Sequence, residues 1–250
     1  MTAATRNPSA LITGASAGIG RATALELARS GFRVVVSARR EAHLNDLVSE
    51  IAAAGGDAHA LPADASEPEA LDRLLANATA HFGGVPDVVV ANAGHGLAGG
   101  VLSSDRARWE YMIRLNFFAT THLMRVAAEA MLERGRGDVV VLGSCVGVNV
   151  SPFSGMYGAT KFAVGAAAEA LRREVGGRGV RVTTIRPGIV ASEFQEVAGY
   201  DEDNFGKTVA KFGEVLQPDD VARSIGFVVS QPPHVHVNEL TIRPVGQDYP

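Results

Sequence analysis

Several residue types that would narrow the class of this 250-residue chain at once are scarce. Cys145 is the only cysteine, so no internal disulfide can form. It reads as a packed small residue, since nothing nearby in the sequence suggests a base to activate it. Of 23 basic residues only Lys161, Lys207 and Lys211 are lysines, and the formal charge of −4 leaves no basic footprint for nucleic acid. Apolar runs stay well short of the ~20 residues of a membrane span. Met1 to Ser9 is short and polar, without the apolar core of a secretory leader. His234 and His236 alternate along an extended segment with no third ligand, which argues against zinc. Aromatic residues are 6% and charged residues 20% against 46% hydrophobic, a balance that favours neither disorder nor a fibre. The expectation is a soluble, cytoplasmic globular domain without nucleic-acid or membrane partners.

What is present is an alternation of short apolar runs and longer amphipathic stretches. Strands are predicted at 9–13, 33–38, 58–62, 87–91, 138–142, 180–185 and 237–242. Helices are predicted to about residue 30, over 41–53, from Ser66 to Phe82, over 105–133 and over 157–175. Ser66 with Glu69 three residues on suggests a capping box. Strands such as Val34-Val35-Val36 are apolar throughout, as expected when both faces are covered. Strands separated by helices imply a doubly wound α/β fold of Rossmann type, with a seven-stranded parallel sheet. No linker divides the chain and no repeat is visible. One domain is expected, with a lid over about 191–215.

Directly after the first strand comes Thr13-Gly14-Ala15-Ser16-Ala17-Gly18-Ile19-Gly20, opening into a helix. Backbone N–H groups at a helix start can bind a diphosphate, and Gly14, Gly18 and Gly20 clear its approach. The second strand ends in Ser37-Ala38-Arg39-Arg40, with no carboxylate to accept a ribose 2′-hydroxyl. Arg39 and Arg40 can instead grip a 2′-phosphate, and Ser37 can add a hydroxyl. These residues point to NADP(H) rather than NAD.

Tyr157 and Lys161 stand four apart at a helix start, so both reach one cleft. With so few lysines, such a pair is expected by chance in only about four of a hundred such chains. A free phenol titrates near pH ~10, and a shift to ~7 needs about 4 kcal/mol. A lysine charge at ~4 Å in an effective dielectric of ~20 supplies roughly that.

Around this pair the whole chain resembles the short-chain dehydrogenase/reductase family. The resemblance rests on the glycine turn, Asp64 after the third strand, Asn92-Ala93-Gly94 after the fourth, and Asn116 on the next helix. Ser144 thirteen residues before Tyr157 and Arg186-Pro187-Gly188 after the sixth strand complete it. It implies a carbonyl/alcohol oxidoreductase in which Tyr157 moves the proton, Ser144 holds the substrate oxygen, and Lys161 lowers the tyrosine's pKa and holds a ribose. Asn116 would hold a water that connects Lys161 to solvent. Asp64 and Ala65 would meet the adenine, Asn92 the adenosine ribose, and Pro187, Gly188, Ile189 and Ser192 the nicotinamide. Ala17 departs from the pattern, because many NADP-using relatives carry a basic residue there. The resemblance further implies a homodimer or homotetramer, and a C-terminal stretch similar to that of relatives acting on serine and small 3-hydroxy acids. A small hydroxy acid or ketone is the expected substrate. A non-catalytic NADP-binding regulator and an isomerase or dehydratase are the alternatives on the same fold.

Overall fold

Alternating burial organises the chain around one sheet. The computed structural model describes residues 7–200 and 205–249. The acidic run Asp201-Glu202-Asp203, which belongs to the expected lid, and most of the polar start lie outside them. Seven parallel strands stand in the order β3-β2-β1-β4-β5-β6-β7. They are β1 Ser9–Thr13, β2 Arg33–Ser37, β3 Asp57–Ala60, β4 Val88–Ala91, β5 Gly137–Leu142, β6 Val180–Pro187 and β7 Glu239–Ile242. The chain winds outward from β1 to β3, then returns to place β4 against β1. The strand ends at that reversal open a crevice, the usual position of a ligand in such sheets.

The central strands are buried on both faces. From β1 and β2, Ile12 and Val36 pack on one side with Leu27, Leu44 and Ile225. Leu11 and Val35 point the other way, against Leu74, Leu123 and Val164. The first layer consists of α1 Gly18–Arg29, α2 Glu41–Ala53 and α9 Pro218–Val229; the second of α3 Pro68–Phe82, α5 Thr120–Arg134 and α6 Gly155–Val175. The edge strands β3 and β7 alternate exposed and half-buried residues, as expected for strands paired on one side only.

Three elements depart from the sequence reading. The helix predicted over 105–133 is broken into a 3-10 turn at Arg106–Arg108, α4 Trp109–Ile113, a π turn at Arg114–Ala119, and α5. A second departure is α9, where the sequence reading places no helix. Gln217 and Asp220 form its capping box, and Val221, Ile225 and Val228 face the core. The third is the Ser66 capping box, which does not form. Glu67 precedes α3, and the Ser66 hydroxyl donates to Asp64 Oδ1 at 2.8 Å. Two short helices, α7 Phe194–Ala198 and α8 Lys207–Ala210, also stand within the stretch expected as a lid. Strand and helix limits otherwise move by a few residues; β6, for example, continues to Pro187.

Candidate active site

The glycine turn is built by close approach. Gly14 and Gly18 have φ of +66° and +52°, where a side chain would be strained. A Cβ on Gly14 would come within 2.7 Å of Asn92 Nδ2, and one on Gly20 would collide with the Gly14 carbonyl. Asn92 Nδ2 donates to the carbonyls of Thr13 at 2.9 Å and Gly14 at 3.2 Å. Thr13 Oγ1 accepts from the backbone N–H groups of Asn92 and Ala93. Asn92 therefore braces the turn through its amide while also lining the crevice. Gly20 is a packing glycine beneath the turn and does not line the crevice.

Above the turn lies one cavity of about 500 Å³. Gly14, Ser16, Gly18 and Ile19 line it, with Arg39, Arg40, Asp64, Ala65, Asn92, Ala93 and Gly94. Ser37 is buried at the strand end and lies outside the lining, its carbonyl accepting from Ala15 N–H at 3.1 Å. Ser16, in the glycine turn, does line the cavity, and its hydroxyl accepts from Arg40 Nε at 3.2 Å. Arg40 also pairs with Glu193 at 3.0 Å, and Arg39 donates to the Tyr111 hydroxyl. Backbone amides at a glycine turn suit a diphosphate, and this cluster of donors suits a further phosphate beside it. The lining residues fit a phosphorylated dinucleotide.

At the other end stand Ser144, Tyr157 and Lys161. Ser144 closes β5 and caps the short turn Cys145–Gly147, accepting from Val146 N–H at 3.3 Å. That turn lies against α6 because Gly147 and Gly158 have no side chains; a Cβ on Gly147 would press to 2.8 Å on the Lys161 carbonyl. Close packing brings Ser144 and Tyr157 together in the cavity lining. Lys161 Nζ donates to the Leu142 carbonyl at 2.7 Å and lies 5.7 Å from the centre of the Tyr157 ring. Burial pushes the Tyr157 phenol above its ordinary pKa, Tyr200 adds to this, and Ser144 opposes it. Burial alone brings Lys161 down to about 8. The expected lowering of the phenol by Lys161 is thus not found, because desolvation outweighs an amine turned toward a carbonyl.

Asn116 sits within the π turn, and does not line the cavity. Its Oδ1 accepts from His95 N–H at 2.8 Å, while Nδ2 donates to the His95 carbonyl at 2.8 Å and to Thr160 Oγ1 at 3.1 Å. It fixes the loop after β4; Gly94 fits between it and Lys161, where a Cβ would contact both. Pro187, Gly188, Ile189 and Ser192 line the cavity beyond Tyr157. Gln247 was missed in the sequence. Its Oε1 accepts from Ile189 N–H at 2.9 Å, and a Cβ on Gly188 would collide with it.

The family model of short chain dehydrogenases matches residues 8–203. The chain belongs to that family. It is 32% identical, over 94% of its own length and 96% of the relative's, to an uncharacterised oxidoreductase of Staphylococcus epidermidis. Its identity to glycine betaine reductase ATRR of Emericella nidulans is 36%, but it spans only 18% of that protein. Among solved structures, the closed form of a serine dehydrogenase complexed with NADP+ superposes with a TM-score of 0.87 at 31% identity, covering 96% of each chain. This short-chain dehydrogenase is therefore an oxidoreductase by family. Among the described residues, no helix is long and apolar enough to cross a membrane, and no cluster of ligands could hold a metal.

Proposed function

We propose that the chain is an NADP(H)-dependent oxidoreductase that interconverts a carbonyl and an alcohol, with Tyr157 as general acid and base. The observation that carries this reading is the buried Tyr157 beside Ser144 and Lys161 in the same cavity as the glycine turn. When bound, the nicotinamide supplies or removes the hydride. In reduction, Tyr157 Oη gives its proton to the carbonyl oxygen, and Ser144 Oγ holds that oxygen by a hydrogen bond. Lys161, when protonated, puts a positive charge beneath the phenolate that remains. A phenol whose pKa burial has raised keeps its proton at neutral pH, which suits reduction there and oxidation at alkaline pH.

The choice of NADP(H) is supported by Ser16, Arg39 and Arg40, by the absence of an acid at the end of β2, and by the serine dehydrogenase complexed with NADP+. Asp64 and Ala65 would border the adenine, with Pro187, Gly188, Ile189 and Ser192 beside the nicotinamide. We also infer assembly into a homodimer or homotetramer.

The test is Tyr157→Phe, which removes the hydroxyl and keeps the ring that packs on Phe194. NADPH binding, followed by quenching of protein fluorescence, should change by less than about threefold. Turnover of carbonyls at the nicotinamide absorbance band should fall by about 10²–10⁴. Retained turnover would remove Tyr157 from the acid/base role, and NADPH binding without consumption by any carbonyl in the unsubstituted chain would favour a regulator.

A further inference from the structure

The cavity is chemically divided. Its positively charged lining residues, among those described, are Arg39, Arg40 and Lys161. Arg39 is engaged with Tyr111, Arg40 with Ser16 and Glu193 beside the glycine turn, and Lys161 with the Leu142 carbonyl. Lys207 and Lys211, on the lid segment, do not line it.

Around Tyr157 the wall is aromatic: Phe153, Phe194, Tyr200, Phe205, Phe212 and Tyr249. Phe194 packs on the Tyr157 ring with centroids 5.4 Å apart, and Tyr200 stacks on Phe205 at 4.1 Å. The Tyr249 hydroxyl is engaged, donating to the Val150 carbonyl. Four of these six side chains are phenylalanines, which contribute ring surface alone. His95 supplies no cation either. Arg108 can only donate, so the 2.7 Å contact from its Nη2 requires a lone pair on His95 Nε2 and hence a neutral ring.

The one lining cation at this end among the described residues, Lys161, is buried and donates to the Leu142 carbonyl, so a substrate carboxylate here would lose water without an exposed counter-charge to meet it, an unfavourable exchange. A flat apolar group would bury its surface against the rings. We propose that the substrate is an uncharged aryl or bulky alkyl ketone or aldehyde, and that carboxylate-bearing hydroxy and keto acids are excluded. This rests on the oxidoreductase reading and goes beyond it by selecting between the hydroxy acid and the ketone.

The test compares methyl benzoylformate with benzoylformate, which have the same carbonyl and ring and differ in charge. NADPH oxidation should give kcat/KM at least about 100-fold higher for the ester. Equal or better use of the acid overturns the proposal. Phe205→Ala should lower the preference for methyl benzoylformate over methyl pyruvate by about tenfold; an unchanged ratio counts against the aromatic wall. Calorimetry with benzamide and benzoate, in the presence of NADP+, reads the cavity without turnover. Benzamide should bind at least tenfold more tightly, and equal affinity overturns the proposal. If no carbonyl turns over yet benzamide is preferred, the oxidoreductase reading falls while the uncharged, aromatic character of the site stands.

Discussion

Lys161 is a buried amine whose hydrogen-bond acceptor among the described residues is a neutral carbonyl, and that environment has a thermodynamic signature. The folded chain releases its proton near pH 8, while the unfolded chain holds it to about 10.4. Between these values the unfolded state binds more protons, so stability attributable to this group rises with pH. Below pH 8 the buried ammonium costs stability. Lys161→Met should therefore be more stable than the unsubstituted chain at pH 7. That advantage should shrink between pH 8 and 10.4, by up to about 3 kcal/mol. Urea unfolding of both proteins at several pH values measures the difference; a constant gap would mean that the amine keeps its ordinary pKa. Arg40 is a second point. It reaches Ser16, so Arg40→Ala should weaken NADPH binding by about 10–100-fold and leave NADH almost unchanged. Titration of protein fluorescence with each nucleotide checks this, and an equal loss for both would place Arg40 outside the 2′-phosphate site. These residues were legible because turn glycines and the Tyr157–Lys161 spacing are local patterns. Gln247 was not, because its role depends on the tail folding back 58 residues later in sequence. Nor was the burial of Ser37 outside the cavity lining, which depends on which way a strand-end side chain points.

At the scale of elements, the π turn at Arg114–Ala119 explains why one predicted helix became four segments. An extra residue in a helical turn leaves the apolar periodicity nearly unchanged, so the sequence reads as continuous. Thr120 Oγ1 donating to the Leu115 carbonyl, five residues back, marks the widened turn. The result is an Asn116 amide that meets both backbone groups of His95. By contrast α9 carried a readable signal in Gln217-Pro218-Asp219-Asp220 and the spacing of Val221, Ile225 and Val228. The short helix α7, Phe194–Ala198, seats on the loop after β4 because residue 96 is glycine. A Cβ there would come within 2.5 Å of Phe194 Cζ and 2.6 Å of Ala198 Cβ. Arg108 joins the two by donating to the Val197 carbonyl and to His95. Gly96→Val should lift α7, raising KM for the carbonyl substrate by at least about tenfold, since a clash of this size is relieved only by moving the helix. Calorimetric NADPH affinity should change by less than threefold. An unaltered KM would show that α7 does not close on the substrate.

The order of strands in the whole molecule follows from the alternation of apolar runs and helices, and the crevice from the reversal between β1 and β4. What a single chain leaves open is the surface of α6. Phe162, Ala166 and Ala170 are exposed and spaced four apart, which puts them on one stripe of the helix. Phe162 is 42% exposed, and Phe118, on the π turn, is 62% exposed. Water-facing helix surfaces normally carry charge at such positions, as α6 itself does with Glu169, Arg172 and Arg173. Small side chains let a second copy of the helix approach closely, and a two-fold axis would set each Phe162 against the same stripe of its partner. Light scattering should therefore give twice or four times the subunit mass of 26.1 kDa. Ala166→Arg should shift the population toward single subunits without altering the circular dichroism, because residue 166 faces away from the core. A single-subunit mass for the unsubstituted chain would reject the assembly, and an Ala166→Arg oligomer as stable as the original would move the interface off α6.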